Sequence, residues 1–354
     1  MRRGLIARSL TELPDAAFDA RLTRVRAAMA QAQLDTLVVY TNNTRPAGVS
    51  WLAGFVPYWS EALLVLPRDG APYLVAALSF RVKSWIERVS RIGEVLHTPR
   101  IGLKAAQQIA ASRPDASVGV VDFDALPAGI ADDLRDGGPG LTVRDASALF
   151  APLRAKADPA EIVLTVRAAA IAHDALSAAR GDSLNAMIAA AECEARELGA
   201  EEIYLAAAPD LEHETRCRRI EGDAVLGKSY ALRATVAYKG SWVRLVRTVC
   251  EPAIAQEAAA RFAAAVAALP GERGFAGFGS WLVEGCRLTQ PLDPLLGSRI
   301  GASQPPLPGA LVSVQAALSI DGRTVLLGAP ALLGAPGEAA ALLADPLFNE
   351  GVSL

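Results

Sequence analysis

Hydrophobic positions in the first half of the chain change repeatedly between two spacings. Apolar residues recur every three or four positions over 18–29, as on one face of a helix, and an apolar run at 37–40 follows. Two further apolar runs, 62–66 and 73–77, are separated by Pro67-Arg68-Asp69-Gly70, a sequence typical of a hairpin turn. Helical patterns follow at 79–88, 104–112 and 126–136, and a further strand pattern lies at 118–121. This half is therefore predicted to be a layered α/β domain.

The second half begins with helix signals and then changes to strand patterns. Asp158, Pro159 and Glu161 supply an N-cap, a first-turn proline and a first-turn carboxylate, so a helix is predicted from there to about Arg180. A second helix is predicted at about 183–198. Later strand patterns, interrupted by an Ala-rich helix at 252–269, lie at 230–238, 242–250, 310–320 and 324–327. This half is predicted to be an α+β domain.

Length and composition set the number of domains and exclude one class of partner. A chain of 354 residues suggests about two domains, and the helix signals put their boundary between 1–154 and 155–354. Hydrophobic residues make up 52% of the chain, so it can bury a large core. Because Lys+Arg 35 nearly balance Asp+Glu 38, nucleic acid is not expected as a partner.

Targeting signals and cysteines indicate the compartment. Charged residues, including Arg8, Glu12 and Asp15, interrupt the N-terminal segment that a signal peptide would need. Apart from Ala-rich stretches that are typical of ordinary helices, no uncharged apolar run reaches the length of a membrane span, so no membrane partner is expected. The four cysteines are scattered without a close pair, which is typical of reduced thiols. We therefore expect a cytoplasmic protein.

A motif in the middle of the second half indicates a family. It reads Tyr238-Lys239-Gly240-Ser241-Trp242-Val243-Arg244-Leu245-Val246-Arg247-Thr248. This stretch resembles the creatinase, aminopeptidase P and prolidase family, whose pattern is Tyr-x-Gly-Tyr, an acidic metal ligand and then Arg-Thr. Three other stretches are similar to family motifs in the same order, namely Trp51-Leu52-x-Gly54-Phe55, Lys156 with Pro159 and Glu161, and Leu307-Pro308-Gly309. The resemblance implies a creatinase-type N-terminal domain, a pita-bread second domain and, as is common in the family, a homodimer.

The resemblance also implies five metal-ligand positions, and this chain has other residues there. The two aspartates of the family, eleven residues apart, correspond to Arg233 and Arg244, which keep that spacing. The histidine corresponds to Ser298 in Gly297-Ser298-Arg299-Ile300-Gly301. The first glutamate corresponds to Gln315, and no acidic residue lies between Asp321 and Glu338 to supply the second. Since divalent metals need carboxylate oxygens and a guanidinium cannot ligate, we expect no metal, no cofactor and no metallopeptidase mechanism.

Two interpretations of the arginines remain open. In the first, Arg233 and Arg244 stand where the metal ions stood and bind a carboxylate or phosphate, with Ser298, Arg299 and Gln315 as further ligand-binding candidates. In the second, they turn away or pair with an acidic residue such as Glu284. The first hypothesis is thus a metal-free homologue that has lost peptidase activity. It binds a small anionic or amide-bearing ligand, or acts as a noncatalytic subunit, as a homodimer or beside a paralogous subunit.

His213 supports an alternative from another class of function. It lies between Glu212 and Glu214, shortly before the central hairpin. Creatinase works without a metal and has an acid/base histidine in the corresponding region. The resemblance therefore implies a metal-independent hydrolase of a small carbon-nitrogen compound, with His213 as its catalytic residue. The competing interpretation is an exposed loop histidine, and creatinase has a histidine where this chain has Ser298.

Overall fold

The computed structural model describes residues 9–43, 45–57, 59–285, 299–300 and 307–346, with the backbone alone at 272, 299 and 300. The chain divides into two compact units, Arg2–Arg154 and Ala155–Leu354. Each unit has its own β-sheet. In the parts of the chain that the structure describes, no helix is both long and apolar enough to cross a bilayer.

The N-terminal unit is built around a six-stranded mixed sheet. Its strands are β1 (Thr36–Asn42), β2 (Glu61–Pro67), β3 (Tyr73–Ala76), β4 (Glu94–His97), β5 (Ser117–Val121) and β6 (Thr142–Asp145). They lie in the order β4-β3-β2-β1-β5-β6. Strand β2 is antiparallel to both of its neighbours, which confirms the predicted hairpin, and the other pairs are parallel.

Helices cover both faces of this sheet. They are α1 (Asp15–Gln31), α2 (Ala47–Ala53), α3 (Lys83–Val89), α4 (Ile101–Ser112), α5 (Ala128–Asp136) and α6 (Ser147–Leu153). Along β1, Leu37 and Val39 join the core that contains α1, α2 and α6, whereas Val38 and Tyr40 join the core that contains α4 and α5. Burial on both faces explains why this strand is a continuous apolar run rather than an alternating one.

The C-terminal unit combines three long helices with an eight-stranded sheet. The helices are α7 (Pro159–Ala178), α8 (Leu184–Glu197) and α9 (Pro252–Ala267). The strands are β7 (Glu202–Ala208), β8 (Tyr230–Tyr238), β9 (Ser241–Val249), β10 (Phe278–Gly285), β11 (Arg299–Ile300), β12 (Leu311–Ile320), β13 (Arg323–Leu332) and β14 (Ala341–Leu342). The main order is β11-β10-β12-β13-β9-β8-β7, and β14 pairs with β13.

Local chemistry fixes the ends of these elements as the sequence predicts. Asp158 and Glu161 form a reciprocal capping box at the start of α7. Lys239 and Gly240 both have positive φ, 46° and 81°, as a two-residue turn between β8 and β9 requires. The predicted helix of 252–269 is present as α9. Strand β10 was not predicted, although it supplies one edge of the site described next.

Candidate functional site

The helices of the C-terminal unit pack on one face of its sheet, and the candidate polar residues lie on the other. Helix α7 packs on β8 and β9, helix α8 packs on α7 and β7, and their shared core contains alternate apolar positions of β8 and β9 such as Leu232, Ala234 and Val243. Helix α9 packs in the same way against β12 and β13. Because strand side chains alternate between faces, the residues between those apolar positions point away from the helices. We call this side the arginine face; among its polar residues are Arg233, Thr235, Arg244, Glu284, Ser313 and Gln315.

Strand register arranges the arginine face in rows that cross the sheet. One row consists of Ala206, Arg233, Val246, Gly328, Gln315 and Leu282. The next row on this face lies two residues further along each strand in the same register. It consists of Tyr204, Thr235, Arg244, Pro330, Ser313 and Glu284. The two arginines therefore lie in adjacent rows on adjacent strands, and Gln315 lies in the row of Arg233.

Arg244 forms a buried ion pair across this face. Its side chain is 0% exposed, and its Nη1 donates to Oε1 of Glu284 at 2.7 Å. The partners belong to β9 and β10, which are separated in the sheet by β13 and β12. The guanidinium thus reaches across two intervening strands, over the positions of Pro330 and Ser313. Pairing with Glu284 was one of the two interpretations that the sequence left open for Arg244.

Three neutral polar groups beside this pair are buried. Thr235 is 1% exposed, Ser313 is 0% exposed and Gln315 is 5% exposed. Among the described residues, Thr235 Oγ1, Ser313 Oγ and Gln315 Nε2 have no hydrogen-bond partner. Each unsatisfied buried group costs about 1–3 kcal/mol, and such groups in folded proteins usually contact water or a ligand. The arginine face therefore has hydrogen-bonding capacity that a small polar molecule would use.

Gly328 lies beside Gln315 on the arginine face. The resemblance requires a second glutamate on the strand after Gln315, and register places Gly328 opposite Gln315 in the row of Arg233. A Cβ added at Gly328 would lie 2.8 Å from Val246 Cγ2 and 3.4 Å from Gln315 Cγ. Val246 and Gln315 therefore already fill the space where a side chain at 328 would begin.

Apolar and aromatic residues border the arginine face. Beyond the row of Arg233, a small hydrophobic cluster borders the face, and it includes Ala231, Ala317 and Leu326. Beyond the row of Arg244, Trp242 stacks on Tyr204 with ring centroids 6.0 Å apart and an interplanar angle of 26°. Tyr204 is 37% exposed, so the aromatic side of the face reaches solvent.

A divalent metal ion, which the resemblance implies, does not fit the described residues of the arginine face. The guanidinium groups of Arg233 and Arg244 have no lone pair for a metal, Gln315 offers one neutral oxygen, and Gly328 offers no side chain. Across the described ranges, no three His, Cys, Asp or Glu side chains form a group that could hold a metal ion.

The remaining candidates lie elsewhere or outside the described residues. Ser298 belongs to the latter group, and for Arg299 the structure gives the backbone of β11, which pairs with Leu282. His213 lies in the turn after β7 with its side chain 80% exposed, and its Nδ1 is 2.9 Å from Asp210 Oδ2. The backbone N–H of Glu212, together with the His213 ring, holds the pKa of the Asp210 carboxyl below its usual value. Among the described residues, His213 has no hydrogen bond to the arginine face.

One buried carboxyl group was not anticipated from the sequence. Glu201 is 2% exposed and accepts hydrogen bonds from the backbone N–H groups of Lys239 and Gly240, in the turn between β8 and β9. Burial raises the pKa of Glu201 to about 7, although the two N–H groups oppose the shift. Glu201 therefore fixes the turn that sets the register between the strands of Arg233 and Arg244.

Comparisons with known proteins agree with this architecture. Residues 21–156 match the model of the Creatinase/Prolidase N-terminal domain. A prolidase from Pyrococcus horikoshii OT3 superimposes with a TM-score of 0.65 at 15% identity, over 92% of this chain and 97% of that chain. An X-Pro aminopeptidase from Thermotoga maritima MSB8 superimposes with a TM-score of 0.69 at 13% identity, over 91% of this chain and 97% of that chain.

A third structure with this fold comes from a complex subunit. The N-terminal domain of FACT complex subunit SPT16 from Cicer arietinum superimposes with a TM-score of 0.55 at 14% identity, over 95% of this chain and 97% of that chain. No curated protein sequence matches the chain. At these identities the structures show a common fold, which is the creatinase-type N-terminal domain followed by the pita-bread domain. Residues 21–156 are therefore a creatinase/prolidase N-terminal domain, and the chain as a whole has the fold of the prolidase and X-Pro aminopeptidase structures.

Proposed function

We propose that the chain is a metal-free member of the creatinase, aminopeptidase P and prolidase family that has lost metallopeptidase activity and binds a small anionic or amide-bearing ligand on the arginine face. The observation that carries the proposal is Arg244. Its fully buried guanidinium stands where the resemblance implies an aspartate ligand, and it is paired with Glu284 at 2.7 Å. A buried cation at this point repels a divalent ion and cannot replace its carboxylate ligand.

The charges of the face favour an anion. The described charged groups in the two central rows of the face are the guanidinium groups of Arg233 and Arg244 and the carboxylate of Glu284. Arg233 is 7% exposed, and a buried guanidinium attracts carboxylates and phosphates strongly because little water screens it. The unsatisfied groups of Thr235 and Gln315 add donors for an oxygen-rich or amide-bearing molecule.

The wider proposal includes a noncatalytic subunit in the cytoplasm, as a homodimer or beside a paralogous, metal-competent chain. The SPT16 domain supports the noncatalytic subunit, since it has this fold and belongs to a subunit of the FACT complex. The alternative, a carbon-nitrogen hydrolase that uses His213, receives less support. A catalytic acid/base must come within about 3 Å of its substrate, directly or through one water, whereas the His213 side chain is 80% exposed and bonded to Asp210.

A metal analysis joined to a peptidase assay tests the loss of metal chemistry. The purified protein is analysed for bound metals and then assayed on X-Pro dipeptides with and without added manganese. We expect substoichiometric metal and no manganese-dependent cleavage. Stoichiometric manganese or zinc, or cleavage that manganese stimulates, would overturn the proposal.

A second experiment tests the ligand site. Thermal unfolding is measured with a panel of small carboxylates, phosphate and small amides, for the wild type and for Arg233→Met. We expect at least one compound to raise the melting temperature of the wild type and to lose this effect in Arg233→Met. The matched control is Arg323→Met, which removes an exposed arginine of the same sheet. An absence of stabilisation by every compound, or equal stabilisation of Arg233→Met, contradicts ligand binding on this face.

A further inference from the structure

Glu201 connects the start of β7 to the turn between β8 and β9. It lies directly before β7 and is only 2% exposed. Its carboxyl group accepts hydrogen bonds from the backbone N–H groups of Lys239 and Gly240, and we call these two bonds the turn contact. Its own backbone N–H donates to the Ala237 oxygen, near the end of β8, at 2.9 Å. The side chain and the backbone of one residue therefore hold both the turn and the strand that leads into it.

The backbone conformation of the turn gives this contact a stabilising role. Two-residue hairpin turns with positive φ at both residues favour Asn, Asp or Gly. Lys239 is none of these, and its φ of 46° costs a non-glycine residue on the order of 1–3 kcal/mol. The hydrogen bonds from Glu201 offset part of this cost. The conformation of the turn thus depends on a group outside the hairpin.

The turn contact lies next to the aromatic border of the arginine face. Trp242 follows the turn and pairs in register with Ala237. Its ring stacks on Tyr204, which belongs to β7, the strand that follows Glu201. Trp242 is 6% exposed and Tyr204 is 37% exposed, so the buried part of the face meets solvent at this stack. Glu201 therefore joins the two chain segments that carry the two rings.

Ionisation of Glu201 changes the strength of the turn contact. A buried carboxylate is less stable than a hydrated one, so the ionised group favours a state in which it reaches water. Burial accordingly raises the pKa of Glu201 to about 7, against the opposing effect of the two N–H groups. Of the neighbouring charges, Lys239 lowers this pKa and Glu202 raises it. Arg196, at the end of α8, faces the same residue and donates from Nη1 to the main-chain oxygen of Glu201 at 2.7 Å.

We propose that the turn contact is a pH-dependent switch, which stays closed while the carboxyl group of Glu201 is protonated and opens more often once that group is ionised. A protonated carboxyl group still offers its carbonyl oxygen to the N–H groups of the turn. Opening detaches Lys239 and Gly240 from Glu201 and loosens the Tyr204–Trp242 end of the arginine face. The switch itself requires no ligand. Its consequence, easier access to the face at higher pH, rests on the proposed function.

The size of the effect follows from the protonation equilibria of the two states. In the open state Glu201 is hydrated and has its ordinary pKa of 4.5, whereas its pKa in the closed state is about 7. The closed state therefore binds the proton more tightly, and rising pH favours the open state. Between about pH 5.5 and about pH 8, the equilibrium constant for opening should increase about 25-fold.

Hydrogen exchange of the ligand-free full chain, followed by NMR at these two pH values, measures the opening. The amides of Lys239 and Gly240 exchange after they leave Glu201, so their protection factors report the opening equilibrium. After correction for intrinsic exchange, these protection factors should fall by the same factor from the lower to the higher pH. The fall should disappear in Glu201→Gln, whose side chain stays neutral. It should persist in the matched control Glu202→Gln, which removes the neighbouring carboxylate.

The amides of β12 and β13, inside the sheet, supply the reference for global unfolding. If the turn amides are as strongly protected as these amides at both pH values, the turn opens only when the whole unit unfolds and the switch is refuted. Equal protection of the turn amides at the two pH values, or the same fall in Glu201→Gln, overturns it too. Because these measurements involve neither metal nor ligand, they leave the proposed function to its own two experiments.

Discussion

Removing the carboxylate of Glu284 should destabilise the C-terminal unit. In Glu284→Gln, the buried guanidinium of Arg244 keeps a hydrogen-bond acceptor but loses the negative charge 2.7 Å away. Breaking a buried ion pair from one side costs about 3–5 kcal/mol, because the remaining charge is left uncompensated. Glu284 is 23% exposed, so water can partly replace it. We therefore expect a loss near the lower end, about 3 kcal/mol.

A double-mutant cycle isolates the interaction. Arg244→Met removes the buried positive charge and keeps an unbranched side chain. In that variant, Glu284→Gln should lower the free energy of unfolding only slightly, because no ion pair is left to break. We expect the double variant to be at least about 2 kcal/mol more stable than the sum of the two single effects predicts. The matched control is Glu251→Gln, which breaks the exposed pair with Arg323 and should change stability by less than about 0.5 kcal/mol.

Urea unfolding followed by circular dichroism measures these differences. With an m-value of about 3 kcal/mol per molar, a loss of about 3 kcal/mol lowers the urea midpoint by about 1 M. If Glu284→Gln unfolds at the same urea concentration as Glu251→Gln, the pair does not stabilise the sheet. Additive effects in the cycle would likewise refute the coupling between Arg244 and Glu284.

Three further predictions concern packing and pH. Gly328→Ala should destabilise the protein by about 1–3 kcal/mol because its Cβ overlaps Val246. Gly279→Ala should not, because its Cβ would lie 3.7 Å from the Ala317 carbonyl oxygen, and thermal unfolding of both variants checks this. Gly102→Ala should destabilise the N-terminal unit, since its Cβ would lie 2.8 Å from the Ile130 carbonyl oxygen, while Gly129→Ala in α5 meets nothing within 4 Å and should be neutral or stabilising in the same assay. Burial raises the pKa of Glu201 from 4.5 to about 7. Between pH 4.5 and about pH 7, Glu201 is therefore protonated in the folded chain and ionised in the unfolded chain. The free energy of unfolding should fall by about 3 kcal/mol as the pH rises through this range. Urea midpoints of wild type and Glu201→Gln across this range should diverge accordingly, and parallel curves would contradict the shift.

Local patterns were sufficient for much of the fold. The alternation over 230–238 and 242–250, joined at Lys239-Gly240, predicts the β8–β9 hairpin because a turn with two positive φ angles favours glycine. The capping residues Asp158 and Glu161 likewise predict the start of α7. These features depend on residues close in sequence, so the sequence alone specifies them.

Features that depend on strand order were not predictable in this way. The continuous apolar run in strand β10 is only Trp281-Leu282-Val283, next to several glycines, and the pairing of the strand with β12 decides its conformation. The same pairing brings Glu284 into the row of Arg244. Sequence analysis named the Arg244–Glu284 pair as one alternative, but it could not choose because the order β10-β12-β13-β9 is not encoded in local spacing.

Gly328 and Glu201 were missed for related reasons. Gly328 is one of several uncharged positions in its segment, and only the register with Gln315 and Val246 identifies it as part of the arginine face. Glu201 precedes β7 in an ordinary Glu-Glu dipeptide, and its burial follows from the distant turn at Lys239-Gly240. Both residues acquire their roles from partners far along the chain.

The ion pair and the filled space at Gly328 also bear on how such a face can evolve. Arg244→Asp would replace the buried cation by a carboxylate and remove the partner of Glu284, and a buried carboxylate without a counter-charge is strongly unfavourable. Gly328→Glu would force Val246 to move, since even a Cβ there lies 2.8 Å from its methyl group. Each of these substitutions alone is therefore expected to destabilise the sheet. Introducing acidic side chains at these two positions thus requires compensating changes at Glu284 and Val246 as well.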